Sequence, residues 1–524
     1  MLSAADLDVE DRSFIGSLKR ADAIRGDKPA IAFTDGGAYT ARQLLNSSGQ
    51  LAHVFASRGA RPGERIAIIA ANRVEHLWSF FGASWLGACP AGLNVHLRGI
   101  SLEHQINNLD PVIIICENET IAAVEEVFGK DPRIMNVDTD ETFAALRSGE
   151  DLPVAPVYRG KPTDLAMITY TSGTTGLSKG TMYGREMAIF FAESMDWMFG
   201  FRPDDVSYSC LPLFHANAIM CSMIPTLRKG AMTVLAPRFS ASRFWSDIRE
   251  YQATATSLLG SMIPILMSPE PKDSDADNTL RIAQAVPVPK ERYYEFQKRF
   301  GLKLFSMYGM SDIGVLVGVP HDMEGRPGKA GIAHPDWEHL IVDDNGNPVG
   351  PGEIGEMLVR PKKFNMMQLG YWRNPEATLE TWRDLWFHTG DYVMRDADGW
   401  FEFIDRKKDA IRRFGENISS FEVELALLKH PAIEDVAVYA VPAELSEDEV
   451  MASIILKPDV DSPPTDILSH CEKQLPYFAV PRYYRFVKEM ERTPTAKIKK
   501  DVLRKIGIDD LTWDAGPRGR SKKG

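Results

Sequence analysis

The stretch "TYTSGTTGLSKG" (169–180) decides how this chain is read. It gathers Ser and Thr hydroxyls, three glycines and one lysine, Lys179, into twelve residues. An apolar run, "DLAMITY" (164–170), precedes the loop and predicts a buried strand. Helical spacing follows in "GREMAIFFAESMDWMF" (184–199). A strand feeding a Gly/Ser/Thr loop that ends in lysine has the parts of a phosphate cradle. Backbone N–H groups and hydroxyls donate to phosphate oxygens, and the lysine supplies charge. The pattern is not the Walker A motif, because Gly180 follows Lys179 where that motif needs a hydroxyl for magnesium. The competing reading is a plain surface turn, since Gly, Ser and Thr mark turns for reasons of their own.

Outside this loop the chain reads as a soluble globular protein. Its 524 residues exceed one ordinary domain and predict two to four units, each with its own core. A net charge of −12 argues against general nucleic-acid binding and for a cytoplasmic body. Five cysteines are scattered without a C-x-x-C pair, which suits a reducing compartment and gives no sign of zinc. The N-terminal "MLSAADLDVEDRSF" lacks the apolar core of a signal peptide. No apolar stretch reaches membrane-spanning length.

Strand-like runs alternate with amphipathic helices. "ERIAIIAAN" (64–72) precedes "EHLWSFFGASWLG" (75–87), and "PVIIICEN" (111–118) precedes "ETIAAVEEVFG" (119–129). "AMTVLAP" (231–237) precedes "SASRFWSDIREYQ" (240–252). Such alternation predicts an α/β fold with largely parallel sheets. Between 340 and 405 the texture changes to hairpins with DNG and PGE turns, so a β-rich part is expected there. A charged segment, "DRKKDAIRRFGEN" (405–417), leads to a last α/β stretch with "EDVAVYAVP" (434–442) and "EVMASIILKPD" (449–459). The expected division is a large N-terminal domain over 1–405, a small mobile α+β domain over 406–510 and a flexible tail over 511–524. A charged helix face inside one domain would also account for 405–417.

Four more stretches carry candidate chemistry. "PLFHANA" (212–218) holds His215 in a Pro-bounded turn. "MYGMSD" (307–312) ends in Asp312. "FHTGD" (387–391) ends in Asp391, and "RTPTAKIKKDVLRK" (492–505) presents Lys497 before a final helix. Each alone is weak: a lone His is more often a core residue, and an Asp after Gly is often a turn. In this order and spacing they resemble the adenylate-forming superfamily of acyl-CoA synthetases, adenylation domains and luciferases. The resemblance covers about residues 15 to 508. The wording "FIDRKKDAIRRFGENISSFEVE" (403–424) is most similar to the carnitine/crotonobetaine–CoA ligase branch.

The resemblance implies a two-step ligase. A carboxylate attacks the α-phosphorus of ATP to give an acyl-adenylate and pyrophosphate, and a thiol, usually that of coenzyme A, then displaces AMP. It implies that Thr171, Ser172, Gly173, Thr174, Thr175, Gly176 and Lys179 hold the phosphates, with Lys179 countering charge on the leaving pyrophosphate. Magnesium falls to Asp312 and Thr171. Family members usually carry Thr-Glu where this chain has Ser311-Asp312, which puts direct coordination by the shorter Asp in question. Adenine and ribose fall to Ala285, Val286, Pro287, Tyr308, Gly309, Met310, Ser311, Asp391 and Arg406. Lys497 would bridge the α-phosphate and the substrate carboxylate, on a loop reading TAK where relatives read TGK. Lys408 matches the hinge position, Gly415 would line the thiol tunnel, and His215 would gate the acyl pocket.

The acyl group is open at this point. Met220, Met223, Met262, Met307 and Met310 lie in segments that shape the family's pocket, or pack an ordinary core. An apolar pocket suits a medium-chain, aryl or ring-bearing acid, whereas the carnitine branch suits a small zwitterion. A carrier-protein thiol or an amine remains an alternative acceptor, and an adenylate-binding protein without activity is the third reading. The expected partners are a small carboxylic acid, ATP, magnesium and coenzyme A, with a homodimer as the assembly the resemblance allows.

Overall fold

The computed structural model describes residues 12–97, 99–171, 178–260, 262–406, 411–413, 416–418, 420–442, 448–458, 460–475, 479–493 and 497–516. Their architecture is mixed α/β, with a large N-terminal domain and a smaller C-terminal one.

Two sheets of the large domain are mainly parallel. One runs in the order Cys89–Gly92, Arg65–Ile69, Ile113–Cys116, Ile134–Asn136. The other has seven strands, in the order Lys303–Phe305, Ile282–Val286, Ala255–Leu259, Val206–Ser209, Met232–Leu235, Pro29–Phe33, Ala38–Thr40. Only its last pair is antiparallel. Ile113–Cys116 is buried at every position, as strands covered by helices on both faces require. This is the α/β layering that the strand–helix alternation predicts. The β-rich part begins earlier than 340: an eight-stranded antiparallel sheet takes its strands from Met307–Met310 through Trp400–Arg406. There Trp337–Val342 pairs with Ile354–Pro361 across the DNG turn, where Gly346 takes a φ of +81° that side-chain-bearing residues avoid.

The opening stretch departs from expectation. Leu165–Thr171 is the predicted strand, but a second strand, Lys179–Gly184, intervenes before the helix Arg185–Phe199. The two strands pair antiparallel, so the phosphate-loop candidate is a hairpin loop and does not open a helix. "KGTMYG" carries little apolar signal, and tertiary contact holds it extended. The Met182 N–H donates to the Gly370 carbonyl at 3.0 Å, and the Trp372 N–H to the Gly180 carbonyl at 2.7 Å.

The C-terminal domain is a four-stranded sheet in the order Ile433–Val441, Glu449–Leu456, Tyr483–Phe486, Thr512–Asp514. The helices Ser420–Leu428 and Pro464–Gln474 flank its first two strands in sequence, as expected. Its core, around Val438, Val450, Ile454 and Tyr484, is separate from that of the large domain. Part of the tail expected over 511–524 is a strand. Thr512–Asp514 closes the sheet edge against Tyr483–Phe486, and Asp514 pairs with Arg482 at 2.9 Å. Three residues with one apolar side chain are too short a pattern to distinguish from a frayed end.

Candidate active site

Both domains line one cleft of about 1800 Å³. The strand ends Leu259, Val286 and Tyr308 and the turn at His215 form its body, and Lys497 and Thr493 enter from the C-terminal domain.

At one end stands a tyrosine–carboxylate pair. The Tyr308 hydroxyl donates to Asp391 Oδ2 at 2.7 Å, and both residues are buried. One side of the Tyr308 ring lies against Phe403, with centroids 5.8 Å apart and planes 23° off parallel. Tyr308 comes from the strand Met307–Met310 and Asp391 from Trp386–Arg395. Arg406 ends the neighbouring strand, where its backbone pairs in register with Asp391. Gly309, Met310 and Ser311 line the same wall. Val286 and Pro287 line the cleft beside them, but Ala285 does not: it is fully buried inside its strand, as the alternation of strand side chains requires.

A second such pair anchors the phosphate-loop hairpin. The Tyr371 hydroxyl donates to Asp312 Oδ1 at 2.6 Å, and the Thr181 hydroxyl donates to the same oxygen at 3.3 Å. Burial and the Asp312 charge push the Tyr371 hydroxyl pKa far up, so it stays a proton donor. Lys179 Nζ sits 5.1 Å from the centre of the Tyr371 ring. Tyr183 donates to the Ser311 carbonyl, so the hairpin's second strand holds both residues of the Ser311-Asp312 pair. The Thr171 hydroxyl donates to the Lys179 carbonyl at 3.3 Å across the loop base. From the helix Gly99–Leu109, Gln105 Nε2 donates to Ser178 Oγ at 2.9 Å. Ser172, Gly173, Thr174, Thr175 and Gly176 lie outside the described residues, as do Lys408 and Gly415.

His215 lines the cleft in the expected turn, where its N–H donates to the Pro212 carbonyl at 3.1 Å. The Phe214 ring lies 4.7 Å from the imidazole. Phe214 is held close to the parallel sheet, where a Cβ on Gly92 would stand 2.7 Å from its Cα. Burial, and then the charge of Lys497, hold the His215 pKa below its usual 6.5. Lys497 and His215 both line the cleft. Of the five methionines, Met307 and Met310 line the cleft. Met220, Met223 and Met262 belong to the hydrophobic core instead. The first two lie on a π-helical segment, Asn217–Met223, that is buried from Ala218 onward.

No group of three or more His, Cys, Asp or Glu side chains able to hold a metal occurs among the described residues. A magnesium ion held largely through phosphate oxygens needs only one or two protein oxygens. Asp312 and the Thr171 hydroxyl supply hard donors of that kind at the hairpin base.

Sequence reasoning missed Tyr371, Tyr183, Thr181 and Gln105. The signal that could have found Tyr371 is "LGYWRN" (369–374), an aromatic pair after glycine in the β-rich part.

Residues 18–372 match the model of the AMP-binding enzyme family, and 422–497 match that of the AMP-binding enzyme C-terminal domain. The chain belongs to the AMP-binding enzyme family. Among curated members, the crotonobetaine/carnitine–CoA ligase of Salmonella agona (strain SL483) is 28% identical over 502 residues. That match spans 92% of this chain and 96% of the relative. The ligase of that name from Shigella flexneri is 27% identical over the same shares of the two chains. Among solved structures, the anthranilate CoA ligase AuaEII in complex with anthranoyl-AMP superposes with a TM-score of 0.84 at 25% identity, covering 96% of this chain and 98% of that one. ATP-bound MatB from Rhodopseudomonas palustris superposes at 0.81 and 25% identity, covering 93% and 98%. This family member thus shares its architecture with enzymes captured holding a nucleotide or an acyl-adenylate.

Proposed function

We propose that this protein is an AMP-forming acid–CoA ligase. One observation carries the reading: Lys497, from the C-terminal domain, shares a single cleft with His215, the Tyr308–Asp391 pair and Asp312. In the first step a carboxylate oxygen attacks the α-phosphorus of ATP, and the bond to pyrophosphate breaks. Lys497 draws the two anionic reactants together and offsets charge in the transition state. Asp391 accepts from the ribose hydroxyls, Arg406 donates to the ribose, and the Tyr308 ring supports adenine. Lys179 and the loop hydroxyls bind the β- and γ-phosphates, where charge grows on the leaving group. Asp312 and Thr171 would hold magnesium, whose positive charge would offset that of the phosphates. His215 stays neutral at pH 7, since its pKa is lowered, and shapes the entrance for the acid.

In the second step the thiol of coenzyme A attacks the acyl carbonyl and AMP leaves. A thiol needs a path that does not pass through Lys497. A C-terminal domain that turns about residues near Asp405–Lys408 supplies one, and the separate core of that domain supports its moving as a unit. The named relatives are CoA ligases, which favours coenzyme A over a carrier-protein thiol or an amine. Five free, buried cysteines suit a cytoplasmic location, and no helix among the described residues is long and apolar enough to cross a membrane.

The test is a panel of carboxylic acids with ATP and magnesium. Acid-dependent pyrophosphate release, with a thioester formed only when coenzyme A is added, is the expected result. ATP turnover that no acid stimulates would overturn the reading.

A further inference from the structure

Below the cleft floor lies a polar cluster to which the reaction chemistry gives no part. Leu259 and Val286 line the cleft and pair across adjacent parallel strands. Two residues earlier on the same strands, and so on the same face, Ser257 pairs with Gln284. A rise of about 3.3 Å per residue puts this pair roughly 7 Å deeper. Ser257 and Gln284 are both buried. Asn217, two residues after His215, completes the cluster.

The protons in this cluster do not balance. Ser257 Oγ lies 3.0 Å from Asn217 Oδ1 and 2.5 Å from Gln284 Oε1. A hydroxyl has one hydrogen and cannot donate to two oxygens, so one amide must turn its nitrogen toward the serine. If Asn217 turns, Gln284 keeps an N–H₂ without a partner; if Gln284 turns, it keeps a bare carbonyl. Either way one Gln284 amide atom is buried with no hydrogen-bond partner among the described residues. Burying such an atom is costly unless something supplies the missing bond.

The burial pattern shows where that partner enters. From Ala216 to Arg228 every residue is buried except Asn217, which keeps accessible surface. Asn217 is thus the member of the cluster with accessible surface, and it stands two residues after His215, which lines the cleft. No carboxylate, lysine or arginine belongs to it, so nothing there balances a charged ligand group.

We propose that Gln284, positioned by Ser257 and Asn217, reads an uncharged hydrogen-bonding group at the far end of the substrate acid. A hydroxyl fits best, because it donates and accepts and so satisfies either amide orientation. This rests on the ligase reading and assigns its acid to the neutral hydroxy- or carboxamide-bearing acids. Plain hydrocarbon acids would leave the Gln284 amide unpaired, and a quaternary ammonium would meet no counter-charge.

The test uses acids in pairs that differ by one hydroxyl: benzoate with 3- and 4-hydroxybenzoate, and hexanoate with 6-hydroxyhexanoate. Pyrophosphate release is measured for the full-length protein and for Gln284→Met, which keeps the length and removes the amide. The wild type is expected to favour the hydroxylated member of at least one pair by tenfold or more in kcat/KM. Gln284→Met should cut that ratio about 10- to 100-fold while the hydrocarbon member holds or gains. The melting temperature of the variant should not fall, since the change removes an unpaired polar atom. A wild type that favours the hydrocarbon member throughout overturns the inference. So does a variant that loses both members of a pair equally, because that marks Gln284 as structural. Pyrophosphate from no acid at all is a different failure, which removes the ligase reading and this inference with it.

Discussion

Two buried carboxylates in the cleft are built alike and placed differently. Asp391 accepts a hydroxyl from Tyr308 at 2.7 Å, and Asp312 accepts one from Tyr371 at 2.6 Å. Asp391 lies within a long strand of the antiparallel sheet, with sheet partners on both sides, and its tyrosine is itself part of the cleft wall. Asp312 lies in the short turn between Met307–Met310 and Gly314–Gly318, and its partners Thr181 and Tyr371 reach it from the hairpin and the "GYW" segment. The first pair is fixed by a single sheet. The second ties three segments together and moves only if they do. A rigid acceptor suits a ribose, which is the same at every stage of the reaction. A carboxylate coupled to the loop proposed to bind the phosphates would suit a magnesium ion whose ligands change when pyrophosphate leaves.

This contrast predicts different lesions. Asp391→Asn is expected to have the larger effect. It loses a charge-assisted bond to the ribose, so ATP and AMP should both bind about 10- to 100-fold more weakly by calorimetry, with the magnesium requirement unchanged. Asp312→Asn should leave AMP affinity near that of the parent and lower pyrophosphate release by roughly tenfold at fixed magnesium, partly recovered as magnesium is raised. Asp312→Glu should be tolerated, because relatives carry Glu there. Interchanged phenotypes, with Asp391→Asn rescued by magnesium and Asp312→Asn weak for AMP, would break the comparison.

The smallest expected effect concerns His215, which also lines the cleft. Its pKa is lowered by burial and by the Lys497 charge. Removing the lysine eases protonation, so Lys497→Ala should move the His215 pKa upward, toward 6.5. The change should appear in the pH titration of its ring carbons in labelled protein. An unmoved titration would mean that Lys497 does not occupy the cleft in solution.

Much of this site was legible in the residues, though unevenly. Asp391, Tyr308, Asp312, His215 and Lys497 stand in short motifs whose order and spacing are specific together, and all five line the cleft. The strand–helix alternation also held, because buried parallel strands are continuous apolar runs. What failed was structure held by contacts distant in sequence. Lys179–Gly184 is extended because Gly370 and Trp372 hydrogen-bond its backbone. Thr512–Asp514 is a strand because Tyr483–Phe486 offers it an edge. Tyr371 carries no motif of its own and reaches Asp312 only through the fold. Met220 and Met223 belong to a segment buried at every residue from Ala218 to Arg228, which settles for the core the choice the residues left open.

The central claim is that Lys497 serves acid activation and not thioester formation. It is tested by measuring both half-reactions on one preparation of Lys497→Ala: pyrophosphate release from acid and ATP, and thioester formation from supplied acyl-adenylate and coenzyme A. The expected result is a loss of about 100- to 1000-fold in the first, with the second largely kept. Equal loss in both half-reactions, or full pyrophosphate release without the lysine, would contradict the account.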